Sequence, residues 1–391
     1  MKVIDINEYK EKKAIKIRLI IIFILIIINI ILLLFLLYRK NEKFKLWTDE
    51  YIFNKNIINE DNPYIEIDSS ENLSVYAYEK YITILEKNVL TGYYSNATKA
   101  YELDININNP IYAKNNKYLC IAENNGNNIY LINNENIVWQ MNLEGNIQSI
   151  SVNKNGYVAV IEKGTAYKNI IHTINTEGKE LFKTYLSSSN AIATDISENN
   201  EYLAIAEIDT SGAIIKSNIK IISIEKAKKD PSNSIENNIS IDQGNLITNI
   251  KYQEKNKLVY MYDKGINVIE EGENKEIVKF DSKMDLANIN CKNSIIYTQE
   301  LSSGLFNNST EIIIRNIQNN SEKKYEIDGA IQSLQVFENN MVINMGTESQ
   351  ILTTSGWLRK NYKSSQEISE ILLGNSIVGI VYRNKIEIIQ L

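Results

Sequence analysis

A tight polar turn followed by an almost wholly apolar strand recurs eight times in this 391-residue chain, and few architectures can use such a pattern. The copies include NNKYLCIAE (Asn115–Glu123), KNGYVAVIE (Lys154–Glu162), NNEYLAIAE (Asn199–Glu207) and KNKLVYMYD (Lys255–Asp263). KNSIIYTQE (Lys292–Glu300), NNMVINMGT (Asn339–Thr347) and GNSIVGIVY (Gly374–Tyr382) continue the series, and EKYITILEK (Glu79–Lys87) is a looser first copy. The copies begin roughly 35 to 55 residues apart, near the spacing of a four-stranded propeller blade. A strand precedes each marker, as in ITNIKYQ (Ile247–Gln253), and a third follows, as in NNIYLIN (Asn127–Asn133). A fourth bears an aromatic, as in NENIVWQMNL (Asn134–Leu143). Asn and Gly accept the positive φ of tight hairpins, so short turns can hold the register. A small four-stranded sheet cannot bury both faces alone, but a ring of such sheets can. The expected fold is all-β, an eight-bladed propeller, with seven blades as the alternative because the first unit is irregular.

The last unit has three strands, ISEILL, SIVGIVY and KIEIIQL. PYIEIDS (Pro63–Ser69) precedes the first complete unit and is the natural donor of the missing outer strand. The expected organisation is a basic tail (residues 1–18), a transmembrane α-helix (19–38), a juxtamembrane linker (39–62) and the propeller (63–391).

The helix is LIIIFILIIINIILLLFLLY, Leu19 to Tyr38, without a charge and with Asn29 as its one strongly polar side chain. At 1.5 Å per residue it reaches roughly 30 Å, the thickness of a bilayer's hydrocarbon core. No small-x-small cleavage site follows it, only YRKNEKFKLW, so it reads as an uncleaved anchor. Basic residues flank both ends, and the bias toward a cytoplasmic N-terminus is slight. The short N-terminal tail adds to it, because the large part is then the translocated one. The expected location is the cell membrane, single-pass, with the propeller extracytoplasmic.

The turn-and-aromatic endings EGKELF (Glu177–Phe182) and SGW (Ser355–Trp357) resemble blade endings of quinoprotein-like (PQQ-like), YVTN-like and WD40-like propellers. The whole layout is similar to an uncharacterised membrane-anchored β-propeller family of Gram-positive bacteria. That resemblance implies a fold and a location but no reaction. The metal-binding and catalytic carboxylates and the stacking Trp of quinone-dependent dehydrogenases have no match here.

Catalytic equipment is sparse. His172 is the only histidine, and Cys120 and Cys291 lie far apart, so no zinc or iron cluster of ordinary ligand type can be assembled. The two cysteines read as buried thiols. No G-x-S-x-G elbow, Walker loop or G-x-G-x-x-G occurs. The chain carries net −6, of which residues 1–38 contribute +3 (six Lys/Arg, three Asp/Glu), leaving −9 on residues 39–391 and arguing against nucleic acid as a partner. No catalytic residue, metal ligand or cofactor is expected. Glu123, Glu162, Glu207, Asp263 and Glu300 recur at the end of the second strand as a candidate acidic rim, read first as a turn or edge feature. Two hairpins, EIDTSGAIIKSN and ELSSGLFNNST, are long and carry apolar tips, making Ile214, Ile215, Leu305 and Phe306 a candidate interaction surface. A third insertion, EKAKKDPSNSIENN (Glu225–Asn238), reads as a mobile polar excursion on the opposite face. The function expected is a non-enzymatic anchored propeller that binds a protein or cell-wall partner. The alternative is a small-ligand sensor or enzyme using the central channel.

Overall fold

The computed structural model describes residues 6–40, 44, 48, 52, 62–68, 73–242, 244–280, 286–303 and 308–391. The chain divides into two compact units, Met1–Ile58 and Asn59–Leu391. In the first, one helix (α1, Ile6–Lys40) contains a 25-residue stretch, Lys16–Lys40, long and apolar enough to cross a membrane. Asn29 donates from Nδ2 to the Leu25 carbonyl of the preceding turn at 2.9 Å, which uses one of its two N–H donors within the helix.

The second unit is an eight-bladed β-propeller, eight antiparallel four-stranded sheets. Blades 1 to 7 take four consecutive strands each: residues 73–104, 110–142, 146–186, 190–240, 247–279, 287–328 and 333–363. Blade 8 takes its three inner strands from residues 370–390 and its outer strand from Tyr64–Glu66. The register is Tyr64 opposite Glu387, Ile65 opposite Ile386 and Glu66 opposite Lys385, so PYIEIDS is the closing strand as expected. Ile65 is buried in the seam between blades 8 and 1 with Ile82 and Ile386.

The markers are the second strands, and their density of apolar residues has a packing cause. Strands such as Tyr118–Glu123 and Val158–Lys163 are buried on both faces between neighbouring blades. One cluster joins Cys120 and Leu131 of blade 2 to Val158, Val160 and Ile174 of blade 3. Outer strands such as Glu273–Lys279 are largely exposed, which is why they read as polar. The turns into the second strands use Asn in the left-handed region, at Asn116, Asn200, Asn256 and Asn293 with φ between 50° and 62°. Gly178 shows the other constraint. With φ 81°, it lies where a Cβ would stand 2.8 Å from Cγ of Trp139 on the preceding blade.

A polar clasp at one level links successive blades. Asn115 Nδ2 donates to the Val152 carbonyl at 3.3 Å, and Asn153 Nδ2 to the Ser197 carbonyl at 2.9 Å. Gln253 Nε2 donates to the carbonyls of Ile289 and Ser294 at 3.1 and 3.0 Å.

The insertion after residue 223 is more ordered than its composition suggests. Ser223 caps a short helix (α2, Ile224–Lys229), whose Ile224 and Ala227 are buried, and Asp230 caps a 3-10 turn at Pro231–Asn233. The strand Ile235–Ser240 then completes blade 4. The two buried apolar residues on a polar helix explain the difference: they join the core between blades 3 and 4.

Candidate functional site

Every blade runs in the same sense, so all hairpins joining second to third strands emerge at one end of the ring, together with the linkers between blades. Turns joining first to second strands emerge at the other end. The five recurring acids end second strands at the hairpin end, and most are turned toward the linker entering their own blade. Glu123 Oε1 accepts from Asn108 Nδ2 at 3.3 Å, Glu207 Oε2 from Ser189 Oγ at 2.7 Å, and Asp263 Oδ1 from Leu246 N at 3.0 Å. Glu162 packs against Gly145, where a Cβ would lie 2.6 Å from its Oε1. In blade 6 Glu300 is exposed, and Thr298 Oγ1 takes the linker contact instead, accepting from Leu286 N at 3.0 Å.

Glu162 and Glu207 are buried, and each has a basic side chain opposite. Glu207 meets Lys220 Nζ at 2.9 Å. Glu162 Oε2 lies 3.0 Å from His172 Nε2, and Glu180 Oε2 lies 2.7 Å from His172 Nδ1. His172 is 2% exposed and bridges three strands of blade 3. A ring held between two carboxylates inside a sheet serves as a cross-strand brace. Among the described residues no cluster of three or more His, Cys, Asp or Glu could hold a metal ion. Cys120 and Cys291 are separate buried thiols. Burial pushes the Cys291 thiol up to about 12 and Cys120 higher still.

Ile214 and Ile215 stand at the tip of the blade 4 hairpin, between strands Tyr202–Asp209 and Lys216–Ser223, and are 50% and 37% exposed. Leu305 and Phe306 lie outside the described residues. Leu301, on the arm of the same blade 6 hairpin, is exposed. Blade 3 adds two exposed rings at this end, Tyr167 and Tyr185, with centroids 4.8 Å apart. This aromatic pair was not read from the sequence, because its members lie eighteen positions apart and meet only through the pairing of the third and fourth strands.

The axis holds a cavity of about 520 Å³, lined mainly by first strands of blades 2 to 7. Its wall carries hydroxyls and amides, including Ser149, Ser151, Thr194, Asn249, Asn288 and Gln335. Lys251 meets the buried Asp195 at 3.0 Å, and Tyr252 N donates to the other carboxylate oxygen at 2.6 Å. Burial pushes the Asp195 carboxyl up, and Lys251 opposes that shift. Lys114 reaches from blade 2 across the axis. Its Nζ donates to the Ala77 carbonyl of blade 1 at 2.7 Å and to the Leu373 carbonyl of blade 8, and it lies 4.6 Å from the Phe337 ring centroid of blade 7. Four blades therefore meet at one ammonium. Burial pulls Lys114 down to about 7, with Glu370 pulling weakly the other way.

Closed ring, strand-swapped seam and axial cavity define an eight-bladed β-propeller. The chain belongs to a family of unknown function, DUF5711, which it matches over residues 56–391. Among solved structures it is similar to the C-terminal WD40 domain of Sif2, at 12% identity and a TM-score of 0.57, covering 86% of this chain and 99% of that one. It is also similar to the WD40 domain of SCAP from fission yeast (12% identity, 84% and 98% covered, TM-score 0.49). A third likeness is to apo AztD from Citrobacter koseri (9% identity, 76% and 87% covered, TM-score 0.47). No curated protein matches the sequence. At such identities the likeness speaks for the fold alone.

Proposed function

We propose that the chain is a non-enzymatic scaffold, held at the cytoplasmic membrane by its N-terminal helix, with the propeller outside and its hairpin end offered to a protein or cell-wall partner. The observation that carries this reading is the exposed Ile214–Ile215 tip on an otherwise polar hairpin. The Tyr167–Tyr185 pair and Leu301 at the same end add to it, since exposed aromatics and aliphatics gathered on one surface are what binding faces use. The recurrent acids are held mainly as linker contacts, and Glu207 is also paired with Lys220, so they are read as part of the frame rather than as the binding surface. The 25-residue apolar stretch of α1 supports the anchored location.

Crosslinking the intact chain in its membrane, followed by recovery under denaturing conditions, tests the reading. Replacing Ile214 and Ile215 together by Ser should abolish specific crosslinked species while leaving the melting temperature of the purified chain unchanged. An unchanged set of species would reject this end as the binding face. Protease accessibility of the propeller in sealed vesicles tests the orientation.

A further inference from the structure

The axial cavity holds one lysine, Lys114, whose ammonium touches no carboxylate, and packing of the ring does not require it. Its three lysines differ in kind, and Lys292 is paired with Glu254 at 2.9 Å. Lys251 is neutralised by Asp195 at 3.0 Å. Among the described residues Lys114 has no carboxylate within ion-pair distance, and its two acceptors are neutral carbonyls. A protonated ammonium has three N–H donors, so it can take an acceptor beyond these two carbonyls. An aliphatic or hydroxyl side chain at this position would fill the same axis without the cost of burying a charge. Glu370 acts on Lys114 only from beyond ion-pair distance. The wall is rich in hydrogen-bonding groups: Ser151 Oγ and Thr194 Oγ1 are 3.1 Å apart, and Ser149, Asn249 and Gln335 line the same space. At about 520 Å³ the cavity is of the size that holds a small molecule. Of the four acids on the lining, Asp195 pairs with Lys251, Glu198 with Lys154 and Glu254 with Lys292, while Glu338 lies beside the turn end.

We propose that the axial cavity binds a small hydroxylated organic monoanion of the sugar-acid class, its carboxylate held by Lys114 and its hydroxyls by the Ser, Thr and Asn side chains of the wall. A lysine with no carboxylate in contact selects a negative charge, and the hydroxyls and amides of the wall select hydroxyls over apolar bulk. The desolvation that pulls Lys114 down to about 7, against the opposing pull of Glu370, has a consequence. A bound anion favours the charged ammonium, so binding takes up a proton near neutral pH and weakens as pH rises.

The test uses the full chain in nonionic micelles, titrated with D-glucuronate, D-glucose and acetate by calorimetry at pH 6.5 and 8.5. Glucuronate should bind roughly tenfold or more tightly at pH 6.5 than at pH 8.5, and glucose and acetate should each bind far more weakly. Lys114→Gln should lose glucuronate binding at both pH values. Lys114→Arg, charged throughout, should keep binding and lose its pH dependence. Folding of both variants is checked by far-UV circular dichroism and melting. No glucuronate binding, equal binding of glucose or acetate, or wild-type affinity in folded Lys114→Gln would each overturn the proposal. If Lys114→Gln does not fold, a pH-independent affinity in the wild type overturns it alone.

Discussion

Replacing Lys114 by Met should change how stability depends on pH, and the size of that change follows from the structure. Burial pulls Lys114 down to about 7 from an ordinary 10.5. The unfolded chain therefore holds this proton more tightly than the folded one. Between pH 7 and 10.5 unfolding takes up a proton, so the wild type gains stability as pH rises through that window. The penalty for burying the group is complete below about 7 and absent above 10.5. The full interval, at about 1.4 kcal/mol per tenfold in proton affinity, amounts to roughly 5 kcal/mol. The lysine stem is only half-buried along the cavity wall, and water there screens part of the cost, so we expect ~2–4 kcal/mol. Lys114→Met also leaves the carbonyls of Ala77 and Leu373 without this donor, an offset that does not titrate. The measurement is urea unfolding of the full chain in micelles, followed by far-UV circular dichroism at steps from pH 6.5 to 9.5. The stability of Lys114→Met minus that of wild type should fall steadily across the series, since every other titrating group is common to both. Parallel curves, or a difference that grows with pH, would refute the assignment of Lys114 as a desolvated cation.

Two further substitutions probe the ring. Glu207→Ala leaves Lys220 and Ser189 without their acceptor in a buried setting and should cost ~3–5 kcal/mol in urea unfolding, against under about 1 kcal/mol for the exposed Glu300→Ala. Ile65→Asp places a carboxylate opposite Ile386 in the closing seam. It should lower stability by about 3 kcal/mol or more and speed proteolytic release of the N-terminal strand, whereas an intact cleavage pattern would argue against strand closure.

Blade architecture was legible because its cause is local. A second strand buried on both faces must be apolar throughout, and its turn must accept positive φ, so NNKYLCIAE and its relatives announce themselves. The closing strand was legible from a count of strands. The helix at Ile224–Lys229 was missed although Ser223 is a readable cap, because lysines dominate the segment and only two of its side chains reach the core. The acids were visible as a recurrence, but their partners were not: Asn108, Ser189 and Leu246 sit 15 to 18 positions upstream in linkers of no fixed pattern. Lys114 carried the weakest signal. It is one lysine among many in a Lys-rich chain, and its two acceptors lie 37 and 259 positions away. The trace it leaves is its place in a first strand, where Ser151 and Asn249 are the more typical wall residues.

That contrast bears on where function resides in a repeat fold. Asn clasps, linker-binding acids and doubly buried strands recur because each blade must meet its neighbours in the same way, so recurrence itself is accounted for by closure of the ring. A residue that departs from the repeat has no such account. Ile214 and Ile215 extend one hairpin with exposed apolar surface, and Lys114 puts on the axis a lysine that touches no carboxylate. His172 is also unique, but its two carboxylate partners give it a bracing role within blade 3. Exposed apolar area and a desolvated ammonium both cost stability, and the carbonyls and Glu370 around Lys114 offset the second only in part. A partner at the hairpin end and an anion at the axis are the external terms that would offset them.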